Sequence, residues 1–378
     1  MKIVCDDKIP FIRGVFEPYA EVVYLPGGEI GAVAVRDADA LITRTRTRCD
    51  ASLLEGSSVR VIATATIGYD HIDTAWCASR GIVWRNAPGC NSWSVGQYAG
   101  SVLVTLARRR GLDLSAMTLG VVGAGNVGSK VAEIASLLGM KVLLNDPPRA
   151  RREGPEAFVS LDRLVEESDI VTLHVPLSRE GVDATWHLFG EEMISRLRPW
   201  QILMNSSRGP VVDGDALKAA LGGGSIGGAV LDVWEHEPDI DRELMGMLDI
   251  ATPHIAGYSA DGKAAATVAS VRTVARCLGL PLADWSPSAL PLPDRALEFS
   301  LDAGGKSPRE VLAEAILYSY DVMADDRELR ARPGLFEKLR GDYPVRREFT
   351  AFGVRLAGGT SDTRALLEKA GFNVIETR

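Results

Sequence analysis

The stretch VVGAGNVGSKVA, Val121 to Ala132, constrains the fold more than any other part of this chain. Its glycines, Gly123, Gly125 and Gly128, have the G-x-G-x-x-G spacing, with an apolar run before them and a helix-like run after. That pattern suits a buried parallel strand turning sharply into a helix. The first glycine permits the turn, the second lets a ligand approach the backbone, and the third lets helix and strand pack closely. The exposed N–H groups at the helix start then suit a pyrophosphate. The following run, LLND, ends in Asp146, where an acid accepts hydrogen bonds from adenosine ribose hydroxyls and repels a 2′-phosphate. NAD rather than NADP is therefore the expected cofactor. Arg149, Arg151 and Arg152 follow closely and read either as a solvated face or as tolerance of the 2′-phosphate.

The glycine loop sits inside a repeating strand–helix series: LGVVGAG, KVLLND, DIVTLHVPL, QILMNSS and AVLDV read as its buried strands. A second series precedes it, with KIVCDD, ALITRT, VRVIATAT and GIVWRN as strands. Alternation of this kind predicts two doubly wound, parallel-sheet α/β domains of Rossmann or flavodoxin type, with a cleft between them. The stretch LPLADWSPSALPLPD carries five prolines and reads as a linker, because proline removes helix and ladder donors. Beyond it, Ser307 and Glu310 have capping-box spacing, and a small α+β unit follows. The expected organisation is a substrate domain of residues 1–93 and 254–280, a dinucleotide domain of 94–253, a linker of 281–294 and a C-terminal domain of 295–378. The helix after Pro253 is expected to return to pack on residues 1–93.

With 378 residues, 46% of them hydrophobic, the chain can build full cores. A net charge of −8 argues against nucleic-acid or membrane-surface partners, since no basic excess exists to meet phosphates. Cys5, Cys49, Cys77, Cys90 and Cys277 form no CxxC pair, the pattern of reduced thiols rather than of disulfides or a metal site. The start, MKIVCDDKIPF, shows no signal-peptide core, and no run reaches the length of a membrane helix. A cytoplasmic protein is expected.

Three polar residues follow the ends of predicted strands in the second series: Arg208 in NSSRGPVVD, Glu237 in LDVWEHEP and His254 in TPHIAG. Open α/β sheets bind ligands at that edge. An arginine suits a substrate carboxylate, and a histidine suits proton transfer near neutral pH, with a carboxylate to hold its ring. Oxidation of a 2-hydroxy acid needs those three functions. Spacing alone does not single out His254, because His71, His174, His187 and His236 compete for the same work. In the first series, Arg44, Arg46 and Arg48 alternate with threonines in ITRTRTRCD. If extended, they share one face, either as solvated edge charges or as a site for a phosphate or second carboxylate.

The glycine loop with its acid, together with LHVPL, MNSSRGPVVD, GAVLDVWEHEP and TPHIAG in that order, resembles the NAD-dependent D-2-hydroxyacid dehydrogenase family. The resemblance implies that Arg208 binds the substrate carboxylate and carbonyl, that His254 is the acid/base and that Glu237 pairs with it. It also implies that Asp232 holds the nicotinamide amide, while Asn126, Val127, Val175, Ser206 and Gly257 line the cofactor. Further stretches, among them ATIGYDHID, NAPGCNSWSVGQY and IAGYSADGKA, resemble a branch of the family that oxidises a phosphorylated four-carbon 2-hydroxy acid for vitamin B6 biosynthesis. That likeness implies substrate contacts from Thr45, Thr66 and Tyr258, beside Arg44 and Arg46, and a homodimer built by the C-terminal unit. Arg346 and Arg347 within it read either as reaching a partner's active site or as a solvated basic turn. The alternatives are a dehydrogenase for another phosphorylated 2-hydroxy acid, such as 3-phosphoglycerate, and a non-catalytic NAD(H)-sensing binding protein.

Overall fold

The structure is a computed structural model that describes residues 1–375 and divides them into two compact units. The first unit joins Met1–Asn91 to Ser259–Pro291. Its five strands are β1 (Lys2–Asp6), β2 (Glu21–Leu25), β3 (Ala40–Thr43), β4 (Val61–Thr64) and β5 (Val83–Arg85). They pair in parallel in the order β2-β1-β3-β4-β5. β1, β3 and β4 lie inside the sheet and are almost wholly buried, which is why they read as continuous apolar runs. The helix Ala260–Leu278 belongs to this unit: its Val271, Val274 and Ala275 share a core with Ile3, Cys5, Ile42 and Val61. Ser259 caps that helix through the Gly262 N–H, and Gly279 ends it in the left-handed conformation. All five cysteines are free thiols.

The second unit joins Ser92–Tyr258 to the segment from Leu292 onward. Its main sheet holds β6 (Thr118–Val122), β7 (Lys141–Asn145), β8 (Ile170–Leu173), β9 (Ile202–Asn205), β10 (Gly228–Leu231) and β11 (Ile250–Ala251). All pairings are parallel, in the order β11-β10-β9-β8-β6-β7. The strand order reverses between β6 and β8, so the glycine loop after β6 opens at a switch point, where such sheets bind ligands. A smaller, all-parallel sheet of β12 (Glu298–Asp302), β13 (Gly353–Ala357) and β14 (Asn373–Ile375) follows, in that order.

The C-terminal segment shares one apolar core with the dinucleotide fold. Val102 and Leu103 of the helix Ser92–Arg110, with Ile134 of Asn126–Leu137, cluster with Val311, Leu312, Ile316, Phe349 and Phe352. Gly100 makes that approach possible: a Cβ there would stand 3.0 Å from Ile134 and 3.5 Å from Ile316. Polar groups reinforce it, since Ser101 Oγ donates to Tyr320 O and accepts from the Val322 N–H. Ser307 and Glu310 form the expected capping box at the helix Pro308–Ser319.

Candidate active site

The glycine loop is held from three sides. Gly123 has a φ of 87°, and a Cβ there would fall 2.5 Å from His174 O and 2.9 Å from the Val175 side chain. A Cβ on Gly128 would sit 1.9 Å from Gly123 O, so only glycine lets the helix Asn126–Leu137 begin so close to β6. Gly125 has open space where its Cβ would be, leaving room for a ligand against the backbone. Asn126 is exposed and Val127 half-buried at the helix start. Asp146 follows β7 directly. One carboxylate oxygen accepts from the Ala124 N–H at 3.0 Å, and the other caps the next helix at the Arg149 N–H. The groups present therefore fit a dinucleotide.

The three arginines behind Asp146 are engaged with neighbouring acids: Arg149 and Arg152 with Glu153, and Arg151 with Asp183. They form a paired surface rather than a row of cations awaiting a 2′-phosphate.

Arg208, Asp232 and His254 follow the C-terminal ends of three neighbouring strands, β9, β10 and β11. Asn205, buried at the end of β9, folds the first loop over: its amide donates to Arg208 O at 2.9 Å, and its carbonyl accepts from the Ser207 N–H and hydroxyl. Ser206 and Arg208 are left half-buried, and Arg208 Nη1 donates to Ser207 O. Gly209 then passes so close to the next strand's loop that a Cβ would lie 1.9 Å from Trp234 O. Ladder bonds continue past the strands: Asp232 N–H to Asn205 O, Thr252 N–H to Leu231 O and His254 N–H to Asp232 O. Together they fix the relative heights of these loops.

His254 has a φ of 58°, and its Nδ1 lies 2.7 Å from Glu237 Oε2. The other Glu237 oxygen accepts from the Trp234 N–H at 2.9 Å. Burial alone would raise the Glu237 carboxyl; the hydrogen bond and charge of His254, the Trp234 N–H and nearby Arg340 outweigh it and hold the group below its ordinary value. With Nδ1 committed to a carboxylate, Nε2 is the ring nitrogen available for proton transfer.

Asp232 is 1% exposed, and its carboxylate accepts from Thr252 Oγ1 at 2.7 Å and from the N–H groups of Ile255 and Ala256 at 2.8 and 2.9 Å. Tyr98 extends the network through Thr252. Gly257 and Tyr258 follow, half-buried.

Of the competing histidines, His187 lies between Glu235 and Asp213, and His236 is exposed. His174 bonds Thr172, and burial pushes it down to about 3, so it stays neutral.

In the first unit, Thr66 follows β4 and bonds Thr64 and Gly68 O. The arginine row is not an extended strand. β3 ends at Thr43, whose hydroxyl bonds Arg44 O, and Thr45 and Arg46 form a turn. Thr47 is buried with its hydroxyl on Gly27 O, and Arg48 turns to Asp50 at 2.7 Å. Only Arg44, Thr45 and Arg46 therefore remain together at the strand end.

Arg346 is 5% exposed within its own unit, donating to Ile255 O and Ala256 O. Arg347 is half-buried, with its carbonyl accepting from Gln97. Sequence reasoning also missed Arg340, whose guanidinium lies 4.0 Å from Glu237 and 3.5 Å from the Tyr258 hydroxyl. No motif marks it; the only signal was a cation beyond the proline-rich stretch. Among the described residues no cluster of metal-ligating side chains occurs, and no helix is long and apolar enough to cross a membrane.

Residues 87–256 match the family model for the D-isomer specific 2-hydroxyacid dehydrogenase NAD-binding domain, and residues 292–371 match a domain of unknown function. The chain is 50% identical over 355 residues to erythronate-4-phosphate dehydrogenase of Bacteroides fragilis, covering 94% of this chain and 99% of that protein. It is 44% identical over 379 residues to the enzyme of the same name from Azotobacter vinelandii, covering 98% and 99%. The structure also resembles D-lactate dehydrogenase from Aquifex aeolicus, solved with NAD and lactic acid. That match has a TM-score of 0.62 at 27% identity, over 74% of this chain and 96% of that one.

Proposed function

The chain belongs to the erythronate-4-phosphate dehydrogenase family, and from that premise we propose that it oxidises 4-phospho-D-erythronate to (R)-3-hydroxy-2-oxo-4-phosphobutanoate in vitamin B6 biosynthesis, with NAD as cofactor. The observation that carries the proposal is the pairing of His254 with Glu237, at the same sheet edge as Arg208, in a chain half identical to such an enzyme along nearly its whole length.

Arg208 receives the substrate carboxylate and C2 oxygen on its guanidinium fork. His254 takes the C2 hydroxyl proton at Nε2. As the ring becomes an imidazolium, Glu237 stabilises it through Nδ1 and keeps it from turning. NAD⁺, when bound, accepts the hydride from C2. Gly123, Gly125 and Gly128 bring backbone N–H groups to the pyrophosphate, and Asp146 receives the adenosine ribose. Asn126, Val127, Val175, Ser206, Asp232 and Gly257 complete the cofactor's surroundings. Arg44, Thr45, Arg46, Thr66, Tyr258 and Arg347 are assigned to the substrate and its phosphate, and the working form is a homodimer.

The test is NADH formation with 4-phospho-D-erythronate, run beside unphosphorylated erythronate and 3-phosphoglycerate, with a 2-oxo acid added in parallel to reoxidise tightly held NADH. Turnover of 4-phospho-D-erythronate above the other two is expected. A preference for 3-phosphoglycerate would overturn the substrate assignment. Bound NADH with no turnover of any of them would point instead to a binding protein.

A further inference from the structure

The backbone N–H and carbonyl groups of Ile255 and Ala256, directly after His254, are held by opposite charges. Their N–H groups point to the Asp232 carboxylate, at 2.8 and 2.9 Å. Their carbonyl oxygens accept from Nη2 of Arg346, at 3.3 and 2.5 Å. The peptide joining Ile255 to Ala256 thus has its N–H end toward an anion and its carbonyl end toward a cation, the favourable orientation at both ends. Asp232 belongs to the dinucleotide fold; Arg346 comes from the segment that matches a domain of unknown function.

This arrangement answers a question that the histidine's backbone raises. A φ of 58° lies in the left-handed region, which a non-glycine residue occupies only where its surroundings over-determine it. On the N-terminal side, the His254 N–H is tied to Asp232 O at 2.7 Å. On the C-terminal side, the N–H and carbonyl groups of Ile255 and Ala256 are all tied down. Ile255 O also accepts from the Tyr258 N–H, so the same turn sets Tyr258.

Arg346 is built in to do this. Its guanidinium lies 4.5 Å from the Tyr320 ring centre and 5.8 Å from that of Tyr343. Both tyrosine hydroxyls donate to Asp325, at 2.6 and 2.7 Å, which supplies a second, half-buried carboxylate near the cation.

We propose that Arg346 is a positioning residue for proton transfer: it holds the turn after His254 so that the ring stays on Glu237, and the C-terminal segment thereby completes the active site of its own chain. This rests on the reading of His254 as the acid/base.

Two arms test it. In the first, Arg346→Met and Arg346→Lys are compared with the unaltered protein by amide hydrogen exchange. Exchange in peptides spanning 252–258 should quicken by about tenfold or more in both variants, with β9 and β10 still protected. Lysine keeps the charge but lacks the planar guanidinium whose stacking beside Tyr320 and Tyr343 aims Nη2 at the two carbonyls. In the second arm, kcat should fall by about tenfold or more while NADH affinity stays within about threefold. Combined with His254→Ala, either change should add no further loss, because both act on one step.

Unchanged exchange across 252–258, or losses that multiply with His254→Ala, would overturn the proposal. So would collapse of protection throughout the unit in Arg346→Lys, which would make the role one of general stability. Should the unaltered protein not oxidise 4-phospho-D-erythronate, the substrate assignment fails and the exchange arm still decides the inference.

Discussion

Replacing Glu237 with glutamine removes a charge at a point where the proposed reaction creates the opposite one. Glu237 Oε2 and His254 Nδ1 are 2.7 Å apart, with side chains 19% and 30% exposed. Charge centres about 4 Å apart attract by about 4 kcal/mol at an effective dielectric of about 20. Partial exposure to water reduces this to about 2 kcal/mol in favour of the imidazolium that forms as the hydroxyl proton is taken. Losing it should slow turnover by about 30-fold. Glutamine has one acceptor oxygen, whereas Glu237 uses two, for His254 and for the Trp234 N–H. One bond is therefore lost as well, and 30-fold is a lower bound. The assay is steady-state NADH formation, with NADH affinity measured separately. Glu237→Gln should lower kcat and leave the affinity unchanged. The pH response follows from the lowered Glu237 pKa. A carboxyl held below its unfolded value adds stability that is complete above about pH 4.5 and is lost as pH falls through the folded value. The variant should lose less stability on acidification through that window. Turnover within about threefold of the unaltered protein would refute the reasoning, because a two-kilocalorie term cannot vanish from the rate unnoticed.

Arg208→Lys keeps the charge but not the fork, and kcat/KM should drop by about 100-fold with little change in melting temperature; ordinary turnover would remove Arg208 from substrate binding. Asp146→Ala should narrow the preference for NAD over NADP by about tenfold or more. It should also cost about 1 kcal/mol of stability, since the carboxylate caps a helix and ties down Ala124. Unchanged discrimination between the two cofactors would count against its ribose role. His174→Gln tests a buried neutral histidine. Its folded pKa is about 3, so the unfolded state binds the extra proton between that value and about 6.5. The unaltered protein should lose stability through this window on acidification, and the variant should show a flatter profile in denaturant titrations at several pH values.

What the sequence disclosed and what it hid divide along one physical line. Buried parallel strands need apolar side chains on both faces, so β1, β3, β4, β6 and β8 to β10 stand out as apolar runs. The glycine loop was equally open to reading, because its G-x-G-x-x-G spacing is local and Gly128 answers to Gly123 and Val121, both close in sequence. The arginine row misled for the opposite reason: alternation suggests a strand, but a long-range bond from Thr47 to Gly27 O and a pairing of Arg48 with Asp50 turn the chain aside. Neither partner can be inferred from ITRTRTR. The C-terminal segment is the strongest case. Its apolar runs say that it is buried, not what it is buried against, and Gly100 becomes informative only when Ile134 and Ile316 are seen to meet over it. Arg346 is next to a second arginine and a glutamate, a context that signals solvent. Its burial depends on two aromatic rings and on carboxylates 21 and 114 positions away, at Asp325 and Asp232. A charge enters a protein interior only where counter-charges and hydrogen-bond acceptors gather from distant parts of the chain. The residues that set the histidine's geometry are for that reason the hardest to find in the sequence, whereas the histidine itself, beside a strand end and a proline, was among the candidates from the start.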